Sequence, residues 1–156
     1  HSNEAHQIGS GLYGPLLVLE PGAARDTTLD RTFVIGGNGP DFATGRVNGE
    51  LQPAPVTLTA GTTYRFRIVQ INPDWRVYAS VESASGPLRW RAVAKDGADL
   101  PAEQAVWSPA RILMGTGETA DFEFTPETAG TAYLVVATQL EGWEVRVPLR
   151  VSPTRH

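Results

Sequence analysis

Residues 61–71 read GTTYRFRIVQI. Successive side chains of an extended chain point to opposite faces, so Tyr64, Phe66, Ile68 and Gln70 share one face and Arg65, Arg67 and Val69 the other. That alternation predicts a strand with one side in a core. The same period recurs on both sides of it. Val56 and Leu58 alternate in residues 55–60 (PVTLTA), then Val77, Ala79 and Val81. Leu88, Trp90 and Ala92 are set against Arg89, Arg91 and Val93. Phe122 and Phe124 share a face in ETADFEFT (118–125), and Val145, Val147, Leu149 and Val151 close the chain.

Residues 29–36 (LDRTFVIG) and 111–114 add two further strands. Residues 132–137 (AYLVVA) are almost continuously apolar, as expected of a strand covered on both faces. Residues 15–20 (PLLVLE) form a short apolar run, and the strand expected over 14–20 must pair with this domain's own sheet or with another chain. Between the runs lie 16 Gly and 12 Pro in 156 residues. Val47-Asn48-Gly49 and the stretch 95–101 (KDGADLP) are the plainest turns. About ten strands at roughly 8–12-residue spacing predict a two-sheet antiparallel sandwich.

The size allows one full core, or one domain with an arm, but not two ordinary domains. Thirteen Lys and Arg stand against 17 Asp and Glu, with no basic run, which disfavours a nucleic-acid surface. No apolar stretch approaches the ~20 residues of a membrane-spanning helix. There is no Cys, which removes disulfides, thiolate metal sites and Cys nucleophiles together. The three His are His1, His6 and His156, so no central His can activate a Ser as in a Ser-His-Asp triad.

Residues 1–21 (HSNEAHQIGSGLYGPLLVLEP) resemble the end of the first cupredoxin domain of laccase-like multicopper oxidases, with GLYGPLLV (11–18) as its strand. The remainder resembles the second cupredoxin domain of that family. The matching pieces, in order, are VNGE (47–50), GTTYRFRIVQI (61–71), RAVAKDGADLP (91–101) and GETADFEF (117–124). The resemblance implies an all-β, cupredoxin-like Greek-key sandwich over 28–152. Residues 1–27 would be an arm carrying the last strand of a preceding domain, and 153–156 a tail. It implies a parent enzyme that oxidises a substrate at one copper and reduces dioxygen to water at a three-copper cluster. This chain would be mainly its copper-free structural middle domain, inactive alone and binding no copper tightly by itself.

By the same resemblance, His1 matches the second His of a copper-binding His-x-His pair. In the other register Asn3 stands where that His belongs, and an amide is a poor copper ligand. The implied partners are the remaining cupredoxin domains or a second copy of the chain, and the implied location is secreted or periplasmic.

Two other functions fit the residues. A β-sandwich copper protein can chelate copper through the terminal amine and ring nitrogen of His1, completed by His6 or His156. A secreted carbohydrate-binding module would stack sugars on Trp75 or Trp143 if these are exposed, whereas Trp90 alternates into the core. Asp96, Asp99 and Glu103 are carboxylates near one turn, with either acid/base and Ca²⁺ chemistry or a simple Asp-Gly turn as their reading. Arg65, Arg67, Arg89 and Arg91 make either a basic strip or a solvated, ion-paired sheet face.

Overall fold

The computed structural model describes residues 3–37 and 44–154. Its centre is β4 (Tyr64–Gln70), whose side chains alternate between buried and half-buried along its whole length. A short helix, α1 (Glu4–Gly9), precedes the strands, capped by Asn3, whose side chain accepts the His6 N–H. The sheet around β4 also contains β1 (Asp30–Gly37), β2 (Gly45–Val47), β7 (Arg89–Lys95), β8 (Ala98–Asp99), β9 (Trp107–Pro109) and β11 (Thr119–Phe124). Its order is β2-β1-β4-β11-β7-β8, with β9 also on β7. The facing sheet is built from β3 (Val56–Thr59), β5 (Val77–Ser83), β6 (Gly86–Pro87), β10 (Arg111–Met114), β12 (Gly130–Thr138) and β13 (Glu144–Ser152). There the order is β10-β5-β12-β13-β3, with β6 on β5.

The core lies between the sheets. Phe66 touches Phe33 edge-on at 5.1 Å between ring centroids and Phe124 at 5.2 Å. Trp90, 1% exposed, stacks on Phe122 at 3.8 Å. Each such pair adds roughly 0.5–1.5 kcal/mol beyond the area it buries. The inward face of β4 ends in Gln70, which is fully buried yet satisfied. Its amide donates to the Trp75 carbonyl at 2.6 Å and its oxygen accepts from the Asn72 N–H at 2.7 Å. A buried amide without those partners would cost about 1–3 kcal/mol.

One expectation is corrected. The sandwich is mixed rather than antiparallel, because β1 runs parallel to β4 and β3 parallel to β13. Between β1 and β4 the chain crosses to the other sheet at β3 and returns, a connection long enough for parallel neighbours. Residues 14–20 form no strand and join neither sheet. Both edges of the nearest strand, β1, are already taken by β2 and β4. Strand β12 is covered on both faces, as its apolar run implied: Ala132, Leu134 and Val136 face the core, and on the other face Val135 is buried between the half-buried Tyr133 and Ala137.

The turn expectations hold in detail. Asn48 and Gly49 take positive φ angles of 52° and 82°, and Val47 and Glu50 exchange both backbone hydrogen bonds at 3.0 Å. Asp96 and Gly97, at 49° and 83°, form the corresponding two-residue turn between β7 and β8. The loop expected at 95–101 is therefore largely a tight hairpin.

Candidate functional site

His1 and His156 lie outside the described residues. His6 sits on α1 with its side chain exposed. Asn3, the alternative occupant of a ligand position, is spent as the α1 cap: its oxygen accepts from the His6 N–H at 3.3 Å. Among the described residues no group of three or more His, Cys, Asp or Glu side chains could hold a metal ion. With no Cys in the sequence, the donor set of this domain does not fit a copper centre, and no redox step is assigned to it.

The carboxylates near the 95–101 turn do not form an acid/base pair. Asp96 is held by Lys95 at 2.8 Å, and its Oδ1 accepts the Thr119 N–H at 2.9 Å. The Lys95 hydrogen bond and then the Thr119 N–H keep its carboxyl below the ordinary 3.8. Asp99 points into solvent, with Arg65 3.9 Å away, and Glu103 is exposed. The Asp-Gly turn is thus structural. Asp96 ties the hairpin to β11 rather than bonding its own backbone.

The arginine strip is an ion-paired ladder across the outer face of the first sheet. The Arg67 Nε donates to both oxygens of Asp30, at 2.9 and 2.8 Å, while its Nη1 reaches Asp121. Arg65 grips Asp121 through Nε at 2.8 Å and Nη2 at 2.7 Å, and Arg91 pairs with Glu123 at 2.7 Å. The strand registers account for this, because Asp121 lies opposite Arg67 and Glu123 lies opposite both Arg65 and Arg91. Arg89 instead donates to the Trp107 carbonyl at 2.9 Å. Such a face has little cationic charge left for an anionic ligand.

Trp75 and Trp143 are partly buried and packed on the core, so they offer no stacking platform. The Trp143 ring covers Gly45 so closely that a Cβ there would overlap it. The exposed tryptophan is Trp107, at the rim of an open groove of about 970 Å³ lined also by Leu88, Arg89, Phe124 and Pro126.

The arm crosses the outer face of the first sheet. The Tyr13 ring lies against Gly36 of β1, where a Cβ would come within 2.7 Å of Tyr13 Cζ. Burial raises the Tyr13 hydroxyl above its ordinary 10.0, opposed by the nearby Arg46 cation. Further along, the Arg25 guanidinium donates to Thr32 Oγ1 at 2.7 Å and to the Asp30 carbonyl at 3.2 Å. Sequence reading missed both anchors, since neither residue belongs to an alternating run. Between them Leu16 and Val18 stand 89% and 88% exposed.

Most of the chain is similar to parts of solved copper enzymes. A multicopper oxidase from Pediococcus acidilactici superposes with a TM-score of 0.59 at 11% identity, covering 91% of this chain and 29% of its own. A blue copper oxidase from Nitrosomonas europaea gives 0.61 at 12% identity, covering 78% of this chain and 43% of its own. The sandwich is a cupredoxin fold. A copper-containing nitrite reductase from Thermus scotoductus matches as well, with a TM-score of 0.60 at 16% identity over 80% of this chain and 31% of its own. This cupredoxin sandwich is therefore shared by copper enzymes of different reactions and does not by itself choose one.

No protein-family profile matches the chain, and no curated protein does. The match spans about a third of the Pediococcus and Thermus enzymes and somewhat under half of the Nitrosomonas one. Residues 28–152 make up about four fifths of the chain, so the 91% match to the Pediococcus oxidase reaches into the arm.

Proposed function

We propose that this chain is the copper-free middle domain (28–152) of a laccase-like multicopper oxidase, with residues 1–27 carrying the end of the preceding cupredoxin domain. One observation carries the reading. A sandwich with its own complete core is joined to an apolar segment, 14–20, that the sandwich does not take up. A continuous apolar run without a sheet is what a strand looks like when its partner belongs to another unit. The cupredoxin fold, the absence of Cys and the absence of any His between His6 and His156 support the same reading.

In this reading the domain holds the two copper-bearing domains apart and lines part of the substrate approach. Its ion-paired sheet face and its buried core give it the rigidity of a spacer. His1 would be a copper ligand of the parent, contributed from the arm. The parent would act outside the cytoplasm, secreted or periplasmic, with the remaining cupredoxin domains as the partners of this one.

The reading frame on either side of His1 and His156 is the direct test. A His two residues before His1 and a His-Cys-His motif far downstream are expected. A signal-peptide cleavage site directly before His1 with a stop codon after His156 would overturn the reading. In parallel, the purified chain titrated with Cu²⁺ should bind weakly and consume no dioxygen with phenolic substrates. Tight stoichiometric binding that is lost on extending the N-terminus would favour chelation by the terminal amine of His1 instead.

A further inference from the structure

The arm differs from an ordinary linker in how it is held. Residues 14–19 make no backbone hydrogen bond among the described residues, yet the segment is fixed at both ends. At one end the Tyr13 ring occupies the space that a side chain on Gly36 would fill. At the other, Pro21-Gly22 makes a turn closed by the Ala23 N–H to the Glu20 carbonyl at 2.9 Å, with Gly22 at a φ of 81°. Arg25 then clamps β1 through Thr32 and Asp30. Tyr13 and Leu17 are half-buried, while Leu12, Leu16 and Val18 point away. Beneath the segment lies a cleft of about 660 Å³ lined by Pro15, Arg25, Thr32, Val34 and Val56.

We infer that residues 13–25 are a strap, anchored by Tyr13 on Gly36 and by Arg25 on Thr32 and Asp30, that presents the apolar edge Leu16–Val18 in one fixed orientation to the neighbouring β-domain. The neighbour is supplied by the middle-domain reading; the strap is a property of this chain alone. Its value is preorganisation. A segment already held in place loses less conformational freedom when a second sheet adds to it. It also sets the angle between the two units, which a flexible linker leaves open. Gly36 is thereby a positioning residue. Its φ is not in the left-handed region, so its backbone does not demand glycine; a Cβ there would instead displace the outer end of Tyr13 from its seat on β1.

The test is backbone ¹⁵N relaxation on the full chain, with Tyr13 ring–Gly36 Hα NOEs as the direct contact. In the wild type, order parameters at Leu16–Val18 should stay above the ~0.6 that marks flexible backbone. Gly36→Ala should abolish the NOEs and drop the order parameters below that value while leaving β4 and β12 unchanged. Tyr13→Ala keeps the glycine and should loosen the segment equally, and the double variant should be no looser than either single one. Flexible residues 16–18 in the wild type, or an arm unchanged in Gly36→Ala, would overturn the strap. Neither result bears on the reading frame or on copper binding, so the strap and the middle-domain assignment fail separately.

Discussion

Residues 15–20 (PLLVLE) and 55–60 (PVTLTA) are the same kind of segment: a proline followed by a short β-forming run. Their fates differ completely. Val56–Thr59 becomes β3, parallel to β13 with Val56 opposite Leu149, and Leu58 is 1% exposed in the core. Residues 16–19 stay unpaired, although they are the more apolar of the two. Residues 55–60 are richer in β-branched residues, but each segment can form a strand, and what separates them is an available edge. Strand β13 has a free side for β3, whereas β1, beneath the arm, is flanked on both sides. A strand is therefore settled by its partner as much as by its sequence.

The largest expected contrast follows from that difference. Leu58→Ala should cost ~2–5 kcal/mol, the lost transfer energy plus the cavity left behind. Leu16→Ala should change the stability of this chain by less than about 0.5 kcal/mol. Urea unfolding of both variants measures the pair. Similar losses would mean that the arm is buried in the folded chain and that the two segments are not opposites after all.

The next contrast moves to charge. Asp121 receives both Arg65 and Arg67 and is mostly buried, whereas Glu127, at the rim of the groove, is exposed. Asp121→Ala leaves two guanidinium groups short of their acceptor and should cost about 2 kcal/mol. Glu127→Ala should be neutral within about 0.5 kcal/mol. If Asp121→Ala were equally neutral, the ladder would be surface decoration rather than part of what makes this face stiff.

A smaller effect separates turn geometry from turn contacts. Asn48 does two jobs. It takes the positive φ, and its side chain accepts the Val34 N–H at 2.8 Å and donates to the Thr32 carbonyl at 3.0 Å. Asn48→Gly keeps the first job and loses the second, so it should cost about 1 kcal/mol; Asn48→Ala, which also strains the backbone, should cost more. Thermal unfolding of the two variants checks the order, and the reverse order would mean that the positive φ costs alanine less than the extra freedom of glycine in the unfolded chain costs the other variant.

These contrasts also show what could be read in advance. Alternation placed Tyr64, Phe66, Ile68, Gln70 and Trp90 inward because burial on one face leaves a period-two mark in the chain itself. Asn48-Gly49 and Asp96-Gly97 were readable because positive φ selects residue type. Strand direction left no such mark: β1 pairs in parallel with β4 through contacts about 35 residues apart in sequence, and alternation is the same in either direction. The burial of Trp75 and Trp143 likewise depends on what the fold brings over them. The strap was invisible for the same reason, because Tyr13 and Gly36 are ordinary residues until the sheet sets one on the other.

The smallest effect returns to the two regions through acid titration. Asp96 and Asp26 are both held below their ordinary 3.8. Asp96 is lowered first by the Lys95 hydrogen bond and then by the Thr119 N–H, so it joins the β7–β8 hairpin to another strand. Asp26 is lowered by the Thr28 hydroxyl and N–H, only two residues away. A carboxyl depressed in the folded state adds stability that is present above its unfolded value and lost as pH falls through its folded one. For Asp96 the loss therefore lies below about pH 4. With an exposed side chain screened by water, it should amount to less than about 0.5 kcal/mol. For Asp26 a local turn can persist in the unfolded chain, which leaves little difference between the states to titrate. Asp96→Asn should thus flatten the acid limb of a stability–pH curve, while Asp26→Asn should leave it unchanged. An equal flattening by both would place the arm's turn inside the cooperative unit of the sandwich, and the division between the two regions would have to move toward the N-terminus.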